Sequence, residues 1–144
     1  MAAMSDYLEN KIIDYIFRGT TTAFNPTTVY IGLHTSATND AGGGTEVSGG
    51  SYAREQVGPG DANWANTAGG SGAVNSGTGG LTDNLADITF TTASASWGTV
   101  SHVAIWDAVS GGNMLFHGSL TASKTIDNGD TFKFAIGDLD VTLA

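Results

Sequence analysis

Apolar and polar residues alternate in short runs along most of this chain, and one stretch near the front breaks that period. The strongest run, Val100 to Trp106, is followed by a turn cluster from Ser110 to Asn113 and a second apolar run from Met114 to Leu120. Branched and aromatic residues on either side of paired glycines predict a β-hairpin. Successive strand side chains point to opposite faces, so Val103 and Ile105 share one side while Ala104 and Trp106 share the other. A strand that is apolar on both faces needs cover on both, which predicts an interior strand rather than an edge.

The departure is Ser5 to Arg18. Leu8, Ile12, Ile13 and Ile16 recur at the three-to-four spacing of a helix, with Tyr15 and Phe17 beside them. Ser5 is placed to cap the N-terminus, Asp6 and Glu9 suit the positive end of the dipole, and Arg18 followed by Gly19 marks the exit. The apolar face around Leu8, Ile12 and Ile16 has two possible uses, packing on a sheet or lying on a partner subunit.

Further strand signals cover 28–34, 52–57, 85–91, 131–136 and 139–143. Lys124 to Ile126 leads into Asp127-Asn128-Gly129-Asp130, whose Asn-Gly pair predicts a tight hairpin. The pattern is a mainly β chain, an antiparallel β-sandwich of about seven or eight strands with one N-terminal amphipathic α-helix. At 144 residues it is one domain, with a helix at 5–18 and a sandwich over 28–143. Glycine-rich insertions at 35–50 and 58–82 interrupt it; they are expected to be loose in a free chain and to reach neighbours in an assembly.

Charge and chemistry narrow the function classes. Net charge is −9, and the five cations, Lys11, Arg18, Arg54, Lys124 and Lys133, are scattered, which argues against nucleic acid and against an anionic membrane surface. No secretory leader and no membrane-length apolar run are recognisable, so a soluble chain that is not exported by the secretory route is expected. The absence of cysteine removes disulfides and thiolate metal sites. His34, His102 and His117 come from separate strands without ligand spacing, and Asp127, Asp130, Asp138 and Asp140 fit turns better than a calcium loop. Neither a Gly-x-Ser-x-Gly elbow nor a phosphate-cradling glycine loop occurs. No catalytic residue, cofactor or metal ligand is therefore assigned, and no enzyme is expected. Trp64, Trp97 and Trp106 suit packing in a core or at an interface better than a sugar platform, and Trp64 and Trp97 are candidate partner contacts.

Several segments together resemble a known family. Tyr7-Leu-Glu-Asn-Lys-Ile-Ile-Asp-Tyr-Ile-Phe-Arg-Gly19, Val29-Tyr-Ile-Gly-Leu-His-Thr35 and Gly49-Gly-Ser-Tyr-Ala-Arg54 are similar to small virion proteins of tailed bacteriophages. Trp97-Gly-Thr-Val-Ser-His102, Ile105-Trp-Asp107, Leu115-Phe-His-Gly118 and Gly129-Asp-Thr-Phe132 extend the likeness over nearly the whole chain. The resemblance implies a structural role in the virion. Lacking repeats, the compact chain is expected to be a capsid decoration (cement) protein that binds the major capsid protein, often as a homotrimer, with Leu8, Ile12, Ile16, Trp64 and Trp97 as partner contacts. The alternative is a tail fibre or adhesin component that binds a host surface glycan.

Overall fold

The computed structural model describes residues 3–19, 25–65 and 80–143. Among them the order is β1 (Ala3–Met4), α1 (Asp6–Phe17), β2 (Tyr30–His34), β3 (Glu55–Gln56), β4 (Leu81–Thr82), β5 (Ile88–Thr89), β6 (Gly98–Trp106), β7 (Met114–Ile126), β8 (Lys133–Phe134) and β9 (Val141–Thr142). A five-stranded sheet runs β1-β7-β6-β2-β3, and two short ladders, β4-β9 and β5-β8, stand apart from it; all pairings are antiparallel.

The predicted hairpin is the centre. β6 lies between β7 and β2, with Ile31 opposite Ile105 and Leu33 opposite Val103. Those four side chains join Ile88, Phe90, Phe132, Phe134 and Val141 from around the short ladders in one apolar core. On the other face Ala104, Trp106 and Met114 form a second cluster with Tyr30 against it. The alternation of β6 thus serves two layers, as its sequence requires.

Two irregularities in β7 adjust this pairing. Ile105 faces Phe116 while Trp106 faces Met114, so Leu115 is an extra residue. The bulge turns Leu115 into the main core and Met114 to the outer cluster, which lets two adjacent apolar residues both be buried. Farther along, Val100 faces Lys124 and His102 faces Ser119, so Ser101 alone opposes residues 120–123. On the far edge of β7, β1 pairs only with Phe116 and His117. The wide bulge and exposed Lys124 interrupt the rest of that edge, a common protection against strand addition.

The Asn128-Gly129 turn departs from expectation. Asp130 N–H bonds to Asp127 C=O at 3.0 Å, so a turn forms, but the chain beyond it pairs with residues 88–93 rather than folding back on β7. Phe90 N–H donates to Phe132 C=O at 3.0 Å and Ala93 N–H to Asp130 C=O at 2.8 Å. Phe90, Phe132 and Phe134 then meet edge to face, with ring centroids 5.8 and 5.0 Å apart. Burying three aromatic rings outweighs the local preference of an Asn-Gly pair for a two-residue hairpin.

The first insertion is also tied down. Val47 enters the core, Thr35 N–H donates to Thr45 C=O at 2.9 Å, and Val47 N–H donates to Leu33 C=O at 2.9 Å. The expectation of a loose arm at 35–50 fails because an apolar residue near its end anchors it. Of the second insertion, residues 66–79 lie outside the described ones. Its flank is held by Trp64, whose indole N–H reaches Val57 C=O at 2.8 Å, and by fully buried Asn84. The Asn84 side chain donates to Ala86 and Ala135 carbonyls, both at 2.8 Å, and accepts from Leu139 N–H at 2.9 Å.

Candidate interaction surfaces

The helix begins as the sequence predicts. The Ser5 side chain accepts from Leu8 N–H at 3.3 Å and donates to Met114 C=O, which couples the cap to the start of β7. Arg18 closes the helix with its N–H on Asp14 C=O, and Gly19 follows at φ +59°, the left-handed value that glycine takes without strain. Leu8 is buried in the main core and Ile12 packs against it half-buried, so the first two turns lie on the chain's own sheet.

The last turns are different. Ile13 is 53% exposed, Tyr15 60%, Ile16 61% and Phe17 79%. At 100° per residue Ile16 continues the line of Leu8 and Ile12 one turn farther along the helix, while Ile13 and Phe17 lie farther round, towards the opposite side from Leu8. Of the expected contact residues, Ile16 therefore presents itself at the surface, while Leu8 is taken up by the core. Ile13 and Phe17 belong with Ile16. The three-to-four spacing merges both stripes into one face, and only the length of helix that the sheet covers separates them.

The tryptophans are committed internally. Trp97 is 5% exposed, donates its indole N–H to Gly50 C=O at 2.9 Å, and meets Tyr52 edge to face with ring centroids 5.4 Å apart. Of the two uses open to Trp97, its ring takes the packing one, as part of the core. Trp64 is half-buried against the same core.

Across the outer face of the sheet lies a polar clasp that the sequence did not reveal. Arg54 donates two bonds to the Glu46 carboxylate, at 2.8 and 2.7 Å, and two more to the carbonyls of Ala108 and Gly111, at 2.8 and 2.9 Å. Its guanidinium lies 3.8 Å from the centroid of Trp106. Tyr52 hydroxyl donates to the same carboxylate at 2.9 Å and accepts from Leu33 N–H at 2.8 Å. Burial pushes the Glu46 carboxyl up, but the Arg54 bonds and charge, with the Tyr52 hydroxyl, hold it below its ordinary value. Burial pushes the Tyr52 phenol up. Gly32 leaves room beneath it: a Cβ there would sit 3.0 Å from Glu46 Oε1 and 3.1 Å from Trp106 Nε1, and both side chains would have to give.

His34 is 1% exposed, stacks parallel to Trp106 at 6.2 Å, and neither ring nitrogen has a hydrogen-bond partner among the described residues. Burial lowers its pKa, Glu46 partly restores it, and Arg54, His102 and His117 lower it further. His102 faces His34 across the β2-β6 register and contacts Ser101 Oγ at 2.8 Å. His117 instead contacts Thr38 Oγ1 at 3.1 Å and Asp40 at 2.8 Å. Among the described residues no three His, Asp or Glu side chains are grouped to hold a metal ion. Asp130 and Asp138 accept backbone N–H groups of Asp127 and Ala135, both at 2.9 Å, which is a turn-closing role.

A recess of about 380 Å³ lies between the start of α1, residues 40–42 and the β6-β7 turn, with Asp6, Tyr7, Asp40, Trp106 and Asn113 among its lining. Its polar groups are largely engaged: Asp40 with His117, and the Asn113 amide with Asp107 at 2.7 Å. No described helix is long and apolar enough to cross a membrane.

Comparison with known proteins agrees with the resemblance drawn from the sequence. No curated protein matches the chain. The family described as Podophage GP4 fiber I protein gp80 matches residues 3–142, which takes in the helix, the central hairpin and both short ladders. The chain belongs to this family and is a structural protein of the bacteriophage virion.

Proposed function

We propose that this chain is a component of a podophage fibre that works by holding neighbouring subunits in place, without turnover of a substrate. The family description carries the reading, because it names a fiber and covers the chain almost end to end. The exposed end of α1 supports a role in assembly, since Ile13, Ile16 and Phe17 present adjacent apolar side chains to solvent. Many copies on one particle would make even weak contacts of this kind effective.

Capsid cement, gripping the major capsid protein, is the second reading. One compact core without a repeated shaft supports it. Gold-labelled antibody against the chain, applied to intact particles, discriminates between the two. Label on the tail fibres is expected. Label spread over the head would overturn the fibre reading in favour of cement, and fragile heads with unchanged host adsorption in a deletion phage would corroborate that outcome.

A further inference from the structure

We propose that Asn128-Gly129 is a site of spontaneous amide loss, and that the fold holds the reaction back by engaging the Gly129 nitrogen. The proposal is independent of where on the particle the chain sits.

This is the only Asn-Gly pair in the sequence. An asparagine is chemically labile when the next backbone nitrogen can reach its side-chain carbonyl carbon, and glycine, having no Cβ, shields that nitrogen least. The Gly129 nitrogen gives up its proton and attacks Asn128 Cγ. The new bond closes a five-membered imide, the bond from Cγ to the amide nitrogen breaks, and that nitrogen takes up a proton and leaves as ammonia. Water then opens the ring at either carbonyl. One opening gives aspartate; the other gives isoaspartate, whose main chain runs through Cβ and is one atom longer. Nothing is oxidised or reduced, and water is the only reagent. Both residues are exposed to it.

The bonding of the turn opposes the first step. Gly129 N–H donates to Ala93 C=O at 2.7 Å, and Ala93 N–H returns a bond to Asp130 C=O at 2.8 Å. Asp130 N–H closes on Asp127 C=O at 3.0 Å, and Asp127 N–H on the Asp130 carboxylate at 2.9 Å. On either side the segment is fastened to the core: Trp97 N–H holds Ile126 C=O at 2.9 Å, and Phe132 and Ala93 are buried. Attack on Asn128 therefore requires the Gly129 nitrogen to leave Ala93, which lifts the turn from its partner segment and carries the free energy of a local opening. Isoaspartate then makes the opening one-way. With an added main-chain atom at 128, Gly129 and Asp130 no longer match the two bonding groups of Ala93. Aspartate leaves the backbone of the turn unaltered.

The test follows the whole chain at mildly alkaline pH, folded in buffer and unfolded in concentrated urea. Peptide mass mapping reads the amide at position 128, and methyltransferase labelling reads isoaspartate. The unfolded chain should lose this amide at least about tenfold faster than the folded one. Phe132→Ala removes a ring that packs edge to face with Phe90 and loosens the flank of the turn. In that variant, amide hydrogen exchange at Gly129 and amide loss at Asn128 should rise by the same factor, because both draw on one open population. Wild type in urea below its unfolding transition should show the same parallel rise, whether or not Phe132→Ala folds. Asn128→Asp should keep slow exchange at Gly129, whereas chains carrying isoaspartate should lose it. Equal rates in folded and unfolded chains, an unfolded chain that keeps its Asn128 amide, or exchange at Gly129 that rises without faster amide loss would each overturn the proposal.

Discussion

Replacing Arg54 by Met keeps an unbranched apolar stem that ends two atoms short of the guanidinium tip and removes the charge. In the native fold this guanidinium makes four hydrogen bonds, two of them to one carboxylate, and covers one face of Trp106. Its side chain is 5% exposed and that of Glu46 27%, so the pair is screened by water only on the carboxylate side. Removing one partner of such a pair leaves a desolvated charge, which costs about 3–5 kcal/mol. Two carbonyls in the β6-β7 turn also lose their donor, whereas the thioether retains part of the contact with the indole. A net loss of about 4 kcal/mol corresponds to a fall of roughly 15 °C in the melting temperature for a domain of this size. Urea unfolding of wild type, Arg54→Met, Glu46→Gln and the double variant, followed by tryptophan fluorescence, measures the coupling directly. The double variant should lose much less than the sum of the singles, because each single strands the other group. A cost under about 1 kcal/mol for Arg54→Met would refute the view that this clasp holds the outer layer, since that is the worth of an exposed pair.

His34 should make stability depend on pH. Its folded pKa lies below the ordinary histidine value of 6.5, so the unfolded chain takes up a proton first. Stability is therefore full above that pH and falls as pH drops from 6.5 towards the depressed folded value, by at most about 1.4 kcal/mol per pH unit. His34→Phe retains the stacking on Trp106 and should abolish the difference in urea midpoint between pH 7.5 and 5.5; an unchanged difference would exclude His34 as its source. Ser5→Ala removes both the cap and the bond to Met114, and should cost about 1–2 kcal/mol in thermal unfolding, with an unaltered midpoint counting against the coupling. Gly50→Ala should cost more than a typical surface change, at least about 2 kcal/mol, because φ is +56° and the new Cβ would lie 2.9 Å from Ala95 C=O. A neutral result would mean that residues 49–51 can rearrange without releasing Trp97.

What the sequence discloses divides by range. The Ser5 cap, the helix and the two-faced β6 are periodic or local features, and all are present at close to the predicted positions. The Asn128-Gly129 pair predicts the wrong partner strand because that choice is settled by Phe90, some forty residues away, and not by the turn itself. The Arg54 clasp has no local signature at all: its carbonyl partners are 54 and 57 residues distant. Trp97 reads as a bend residue, and only the fold shows Gly50 and Tyr52 closing over it. The outward stripe of α1 was hidden for a different reason. Ile12 and Ile13 are neighbours in the same apolar pattern, and which of them turns inward depends on how the helix is seated on β7.

The surplus residues opposite Ser101 have a practical consequence. Leu120 to Ser123 belong to no one-to-one pairing, while the ladder resumes undisturbed at Lys124 on one side and Ser119 on the other. Length at this point is already uncoupled from register, so a short peptide spliced between Ala122 and Ser123, both exposed, adds to a bulge that the sheet tolerates. Evolution can vary this bulge, and an experimenter can thread an epitope through it, while the hairpin on either side keeps its alignment.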